Sequence, residues 1–174
     1  LCGSENLNQV LELKPTPPAN NLIDACDLDQ KPDLYPLGLC QCPECTHVQL
    51  KYVVDPALLF SHYLYESKTS PVMLDHLKRQ AEDLSTRFGD KGTSFVLEIG
   101  SNDGSLLKNF QRLGYPVLGV DPATNIVQSA NAAGVPTLNR FFNEETAEEI
   151  LQTHPKADII CANHCFAHID NIDG

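Results

Sequence analysis

The sequence predicts an α/β fold, in which a small irregular N-terminal domain precedes a parallel sheet covered by helices on both faces. Residues 1–50 are rich in Pro, Asn and Asp and lack sustained apolar periodicity, whereas short apolar runs alternate with helical patterns from residue 94 onward. Alternating short strands and helices indicate repeated right-handed crossovers, which build a parallel sheet. We therefore predict domain boundaries at 1–54, 55–93 and 94–174.

Local signals bound the individual elements. Asp55 and Pro56 start a short helix, and Ser70 caps an amphipathic helix that ends at Gly89, with apolar residues stepping by three and four. Beyond it, the predicted strands are 94–99, 116–121, 135–138 and 157–163, and the predicted helices are 105–114, 125–134 and 143–154, the last capped by Asn143.

Composition excludes several classes of function. The 174 residues carry a net charge of −11, and no basic run is longer than the pair Lys78-Arg79, which argues against binding to nucleic acid or to an anionic membrane. The sequence has no apolar stretch of membrane-spanning length, and we do not expect its first residues, which lack a charged and an apolar region, to act as a signal peptide. Its 7 cysteines are odd in number and crowd towards the N-terminus, which favours a cytoplasmic metal-binding protein over a disulfide framework.

The N-terminal cysteines predict a structural zinc site. Cys42 and Cys45 form a C-x-x-C knuckle, which supplies half of a tetrahedral site. Cys2 would end a second knuckle whose first Cys lies three residues earlier, so we expect Cys2, Cys42 and Cys45 to be three of the four ligands. Cys40 or His47 could supply the fourth. A redox C-x-x-C and free thiols are the alternatives.

The stretch "EIGSNDG" predicts a ligand-binding turn between a strand and a helix. Gly100 and Gly104 would allow a tight turn and close approach of a ligand. Their spacing differs from the G-x-G-x-x-G of dinucleotide-binding proteins, and Ser105 stands where a P-loop needs Lys. Glu98 and Asp103 add acids that suit a cationic sulfonium, which favours S-adenosylmethionine (SAM). The alternative is a simple turn with solvated acids.

Polar residues also follow the neighbouring strands. Asp121 ends the second strand of the sheet, where an acid can bind the ribose hydroxyls of an adenosine. Asn163, His164 and His168 follow the last strand, where we expect a helix-capping or cofactor-wall role. The two histidines have the spacing of a metal pair on a helix, but no nearby Glu or Asp stands in the right place to join them.

Tyr63 and Tyr65 form a further pair. On an extended segment, residues two apart share a face, so their hydroxyls, with Ser67 and Ser70, could line a polar pocket. A role in the core or in an interface is the alternative.

Taken in order, these segments resemble one enzyme family. The stretches "YPLGLCQCPECTHVQL", "LFSHYLYESKTS", "EIGSNDG", "GVDPATN" and "NHCFAHID" resemble the SAM-dependent sugar C-methyltransferases, which methylate C-3 of nucleotide-linked 4-keto deoxysugars. The resemblance implies a zinc-binding domain, then the first half of a Rossmann-like SAM methyltransferase sheet, then a C-terminal substrate domain. We expect that last domain, with the general base (a His beside a Glu), to lie outside this chain.

The resemblance also implies roles for individual residues. The fourth zinc ligand would precede Leu1, and Tyr65, or failing that Tyr63, would contact the sugar near the reacting carbon. The residues that match zinc ligands are Cys2, Cys42 and Cys45, and those that match cofactor-binding positions are Glu98, Gly100, Asn102, Asp103, Gly104, Asp121, Pro122 and Asn163.

Two rival functions stay open. One is a SAM-dependent methyltransferase with a nitrogen or oxygen acceptor, which would share the fold. The other is a zinc-containing binding module with a non-catalytic SAM fold. The expected partners are a nucleotide-sugar substrate and the remainder of the chain, with neither nucleic acid nor membrane.

Overall fold

The computed structural model describes residues 2–19 and 22–169. The chain forms two compact units, Leu1–Leu59 and Phe60–Gly174. Within the described residues, no helix is both long enough and apolar enough to cross a membrane.

The N-terminal unit is built on a three-stranded antiparallel sheet. Its strands are β1 (Asn8–Thr16), β2 (Tyr35–Gln41) and β3 (Val48–Leu50), with β2 in the centre. The sequence predicts only turns and extended pieces here, and the structure adds the sheet; all nine residues of β1 are exposed, so no buried face marks the strand. Among the described residues of this unit, only Gly38, Cys40 and Cys42 are buried. So small a core needs a further staple to be stable.

Two helices lead into the second sheet. In α1 (Pro56–Phe60), Asp55 Oδ1 accepts a hydrogen bond from the backbone N–H of Ala57 at 2.8 Å, as its predicted capping role requires. A 3-10 turn (Ser67–Thr69) follows, and then α2 (Pro71–Arg87), where Ser70 Oγ accepts from the backbone N–H of Met73 at 3.3 Å. The predicted start of the long helix is therefore confirmed, and its end lies two residues before Gly89.

The C-terminal unit contains the predicted parallel sheet. Its strands are β4 (Val96–Ile99), β5 (Val117–Asp121), β6 (Thr137–Asn139) and β7 (Ile159–Cys161), alternating with α3 (Ser105–Arg112), α4 (Thr124–Ala132) and α5 (Glu144–Thr153). All neighbouring strands are parallel, in the order β6-β5-β4-β7. The α/β fold class is confirmed, with strands one to four residues shorter than predicted.

Apolar side chains cover both faces of this sheet. On one face, Leu77 of α2 and Phe110 of α3 pack with Val96 and Val117. On the other, Ile150 of α5 packs with Phe95, Leu97, Leu118 and Val120. Because α3 and α4 lead outward from β4 to β6 and the chain then returns to the opposite side of β4, strand order reverses between β4 and β7. Open α/β sheets bind ligands at the carboxyl ends of the strands flanking such a point.

Candidate functional site

Glu98 lies at the carboxyl end of β4, at the point of strand-order reversal. Its side chain is buried, with 4% of the residue exposed, and Oε1 accepts a 3.4 Å hydrogen bond from Nδ2 of Asn163. Oε2 is buried without a hydrogen-bond partner among the described residues. Burial raises the pKa of this carboxyl well above its usual value, opposed by the Asn163 hydrogen bond and assisted by the negative charges of Asp103 and Asp121.

Asn163 is held in place by a residue that sequence reasoning missed. Gln80, on α2, donates to Oδ1 of Asn163 at 3.1 Å and accepts from its Nδ2 at 3.3 Å. The only sequence signal for this role of Gln80 is its position, since it is a polar residue on the partly buried face of an amphipathic helix. The pair fixes the orientation of the amide that faces Glu98.

Steric contacts within the chain explain why the loop after β4 needs glycine at two positions. Gly100 and Gly104 have φ of 66° and 73°, in the left-handed region that favours glycine. A Cβ on Gly100 would lie 2.7 Å from Cβ of Cys165, and one on Gly104 would lie 2.7 Å from Cγ1 of Val135. We predicted both glycines for a tight turn and for close approach of a ligand; their positive φ values agree with the turn, and the atoms that exclude a Cβ belong to neighbouring loops of the chain.

Asp121 ends β5 and is 7% exposed. Its Oδ2 accepts from the backbone N–H of Asn102, and its Oδ1 from that of Ala123, each at 2.9 Å. Burial raises its pKa, and these two hydrogen bonds oppose the rise. The following residue, Pro122, accepts through its carbonyl from Nδ2 of Asn139 at 2.8 Å. Asp121 thus joins the ends of β4 and β5, and Asn139 joins β5 to β6.

Residues 61–69, which we call the strap, are hydrogen-bonded to this edge. The side chain of Asn125, in the first turn of α4, accepts from the backbone N–H of Tyr63 at 3.1 Å and donates to its carbonyl at 2.7 Å. Nδ2 of Asn102 donates to the carbonyl of Tyr65 at 2.9 Å, and Oδ2 of Asp103 accepts from the backbone N–H of Lys68 at 2.7 Å. Both predicted tyrosines therefore belong to a segment fixed to the glycine loop.

The two tyrosine rings have different surroundings. The ring centroid of Tyr63 lies 6.1 Å from that of Phe60, which in turn lies 5.8 Å from that of His168. Tyr65 is 42% exposed. His164 and His168 have the sequence spacing of a metal pair. Within the described part of the chain, they belong to no metal-binding group.

Two cysteines, Cys161 and Cys165, lie near Glu98, and neither belongs to a metal-binding group among the residues that the structure describes. Cys165 donates through Sγ to the carbonyl of Ile99 at 3.1 Å. Burial, and then the charge of Glu98, raises the pKa of the Cys165 thiol and raises that of Cys161 to about 11. Both groups are therefore neutral thiols at physiological pH, unsuited to act as nucleophiles.

In the N-terminal unit, Cys2, Cys42 and Cys45 come together as predicted. Their sulfur atoms all lie within 4.8 Å of one another, and Cys2 Sγ and Cys42 Sγ are 3.6 Å apart. Tetrahedral Zn–S bonds of about 2.3 Å place two sulfurs roughly 3.8 Å apart, so the spacing fits a shared zinc ion. Backbone N–H groups of Cys45 and Glu44 lower the pKa of the Cys42 thiol to about 7, which favours the thiolate that a metal requires.

A cavity of about 200 Å³ opens beside these thiols, and His47 is among the residues that line it. Cys40, the other substitute named for the fourth ligand, is absent from both the thiol cluster and the cavity lining in the described residues. A ligand preceding Leu1 lies outside the described residues.

A parallel sheet with acids at its point of strand reversal, preceded by a thiol cluster, defines a methyltransferase-like domain joined to a metal-binding one. Residues 73–174 match the family model described as "Methyltransferase domain", and residues 1–60 match the one described as "Putative zinc binding domain". The first match covers more than half of the chain, so the chain belongs to the methyltransferase domain family. The predicted order of a zinc-binding and a methyltransferase domain is confirmed.

Individual relatives can be named. C-methyltransferase NovU of Streptomyces niveus is 34% identical over 172 residues, covering 99% of this chain and 41% of NovU. Ubiquinone biosynthesis O-methyltransferase of Rhodopseudomonas palustris is 33% identical over 96 residues, 55% of this chain and 36% of that protein. Magnesium protoporphyrin IX methyltransferase from Synechocystis, a solved structure, is 17% identical with a TM-score of 0.39, covering 56% of this chain and 46% of that one. The chain spans less than half the length of each.

Proposed function

We propose that this chain binds SAM at the carboxyl edge of the sheet and takes part in methylating C-3 of a nucleotide-linked 4-keto deoxysugar. The observation that supports SAM as the cofactor concerns Glu98. Its Oε2 is a buried oxygen at the point of strand reversal and has no hydrogen-bond partner in the described residues. Buried polar atoms are nearly always hydrogen-bonded, so an orphaned carboxylate oxygen at a ligand edge indicates a missing donor. The cationic amino-acid end of SAM provides such donors.

The residues that would hold SAM are those predicted from sequence. We assign its amino-acid end to Glu98 and Asn163, its backbone contacts to Gly100 and Gly104, and its ribose to Asp121, which keeps spare acceptor capacity beyond its two hydrogen bonds. Pro122 would flank the adenine. SAM would supply the electrophilic methyl group. Asn102 and Asp103, also predicted, lie in the same loop, but their side chains bind Ser67 and Lys68, so we assign them no direct contact with SAM.

The carbon acceptor is supported by the extent of one similarity. NovU matches 99% of this chain, and its printed name is C-methyltransferase, whereas the O-methyltransferase of R. palustris matches 55%. A 4-keto group acidifies the proton on C-3, so a base can remove it and leave an enolate carbon as the methyl acceptor. We propose that Tyr65, with Tyr63 as the second choice, lies against this sugar, and that the protein contributes mainly proximity and orientation.

We also propose that Cys2, Cys42 and Cys45 bind a structural zinc ion. We further propose that the zinc-binding domain ends at residue 54 and that the SAM-binding domain begins after residue 93. A thiol triad at tetrahedral spacing in a unit with three buried residues supports a stapling role for the metal.

Isothermal titration calorimetry tests the cofactor assignment. We expect the chain to bind SAM and S-adenosylhomocysteine, and to bind neither NAD nor ATP. Glu98→Gln and Asp121→Ala should each weaken SAM binding about tenfold or more, since each loses a charge-assisted hydrogen bond worth about 1.5–3 kcal/mol. The matched control is Glu148→Gln, an exposed acid on α5. A folded chain that gives no heat with SAM contradicts the proposal.

A methyl-transfer assay tests the acceptor. The chain with its natural flanking sequence, given SAM and nucleotide-linked 4-keto deoxysugars, should exchange deuterium from solvent into C-3 and then form a new carbon–methyl bond, both visible by NMR. A methyl group found on oxygen or nitrogen would instead support the rival methyltransferase class.

A further inference from the structure

The strap is fastened to the cofactor edge by side chains rather than by strand pairing, and we propose that Asn102 and Asn125 are the positioning residues that hold it there. The proposal rests on the proposed function insofar as this edge binds SAM. It assigns Asn102 a different task from the cofactor contact that the family resemblance implies.

Asn125 forms two hydrogen bonds with the backbone of one residue of the strap. Its amide accepts from the N–H of Tyr63 at 3.1 Å and donates to the carbonyl of the same residue at 2.7 Å. Beside it, the backbone N–H of Thr124 donates to the carbonyl of Ser61 at 3.0 Å. The start of α4 thus holds the strap as a neighbouring strand would, and it fixes both the position and the orientation of Tyr63.

Asn102 has little hydrogen-bonding capacity left for a ligand. Its Oδ1 accepts from the backbone N–H groups of Ser67 and Asp103, both at 2.9 Å, and its Nδ2 donates to the carbonyl of Tyr65 at 2.9 Å. An amide oxygen has two lone pairs, so its acceptor sites are filled, and one N–H remains. Its own backbone N–H is taken by Asp121.

Asp103 is occupied in the same way. Oδ2 accepts from the backbone N–H of Lys68 at 2.7 Å, and Oδ1 accepts from the N–H and hydroxyl of Ser105 at 3.1 and 2.6 Å. Asn102 and Asp103 therefore both bind the strap. As a result, hydrogen bonds join the loop that would hold SAM to the segment that carries Tyr65.

The chain contains a matched control on the same helix. Asn131, six residues after Asn125, accepts from the backbone N–H of Thr137 and donates to its carbonyl, each at 3.0 Å. The two asparagines make the same pair of bonds, one to the strap and the other to β6. Any general loss of stability from truncating an asparagine on α4 should therefore affect both variants alike.

Hydrogen–deuterium exchange of the full chain, read on the peptide that covers the strap, tests the proposal. Asn125→Ala and Asn102→Gly should each speed exchange in the strap about tenfold, the effect of losing one to two net hydrogen bonds. Glycine is the clean truncation at 102 because φ there is 50°. Asn131→Ala should leave strap exchange unchanged and speed exchange near Thr137.

A conservative variant separates positioning from bulk stability. Asn102→Asp keeps the oxygen that accepts from Ser67 and tolerates the left-handed backbone, so it should restore most of the protection at Ser67 and Lys68. SAM titrated into Asn102→Gly should bind within about threefold of wild type, well short of the roughly tenfold or larger loss expected from removing a charge-assisted contact to the ligand.

Three results overturn the proposal. They are equal acceleration of the strap by Asn131→Ala, unchanged strap exchange in Asn125→Ala, and a SAM affinity at least about tenfold weaker in Asn102→Gly with the strap still protected. If Asn102→Gly does not fold, Asn125→Ala still decides. Failure of wild type to bind SAM would contradict the proposed function alone, because the exchange measurements need no ligand.

Discussion

The two compact units are stabilised in opposite ways. The C-terminal unit has apolar clusters on both faces of its sheet, and its polar groups gather at one edge. The N-terminal unit has a fully exposed β1 strand, and its buried side chains are the thiols Cys40 and Cys42. In one unit the fold forms around a core and leaves a site at the edge. In the other unit, the proposed zinc site would supply the stability that an apolar core gives elsewhere.

Removing the metal should therefore give the largest effect. Cys42→Ser, or a chelator at pH 7, should unfold the N-terminal unit, because structural zinc contributes roughly 10–16 kcal/mol in small zinc domains. Zinc content by mass spectrometry and exchange protection of β1 and β2 are the measurements. Cys26→Ser, an exposed thiol outside the cluster, is the control and should keep both. Retained protection in a zinc-free protein would contradict the stapling role.

Breaking the apolar core should act on the other unit. Phe110 is 0% exposed between α3 and the sheet, so Phe110→Ala should lower the free energy of unfolding of the C-terminal unit by about 3–5 kcal/mol. Urea denaturation monitored by circular dichroism measures this. Phe88→Ala, at a residue that is 53% exposed, should change it by less than about 0.5 kcal/mol. Equal losses from both would mean that burial does not distinguish the two positions.

The same contrast explains what the sequence could predict. The helices and strands of the C-terminal unit were predictable because apolar periodicity and capping residues such as Ser70 and Asn143 report directly on burial and helix ends. The β1 strand was not, because all nine of its residues are exposed, so no buried face marks it as part of a sheet. The thiol cluster was predictable because ligand spacing requires no core.

Within the candidate site, residue types were predictable but their partners were not. The glycine loop and the acids of the strand ends could be located from spacing alone, and the structure brings Glu98, Asp103 and Asp121 to one edge. The reciprocal amide pair of Gln80 with Asn163 joins residues 83 positions apart, and that of Asn125 with Tyr63 joins residues 62 apart. Such contacts depend on tertiary packing, which no local pattern encodes.

The buried acid of the edge should make stability depend on pH. Burial raises the pKa of Glu98, so the folded state binds its proton more tightly than the unfolded state does. The contribution of Glu98 to stability should be largest below the ordinary pKa of glutamate and should fall as pH rises towards its folded-state pKa. Glu98→Gln should remove this contribution, leave the smaller slope that Asp121 adds, and stabilise the ligand-free chain at pH 8, because a buried amide has no charge to desolvate.

Urea titrations of wild type and Glu98→Gln between pH 5 and pH 8 measure the difference. Glu148→Gln is the exposed control and should follow wild type. A wild type whose stability rises across this range relative to Glu98→Gln would show that the carboxylate is stabilised in the fold, contrary to the expected sign. Glu98→Gln should therefore be more stable than wild type at pH 8 and yet bind SAM less well, as expected if the acid at this edge serves to bind a ligand.

The smallest loss of stability should come from removing a helix cap in the C-terminal unit. Asn143 caps α5, where its Oδ1 accepts from the backbone N–H of Thr146 at 2.9 Å. Asn143→Ala should cost about 1 kcal/mol, with Gln152→Ala, an exposed position in the same helix, as the control. Calorimetric melting resolves a change of this size. A loss as large as that of Phe110→Ala would mean that the stability of this unit depends on the Asn143 cap as much as on its apolar core.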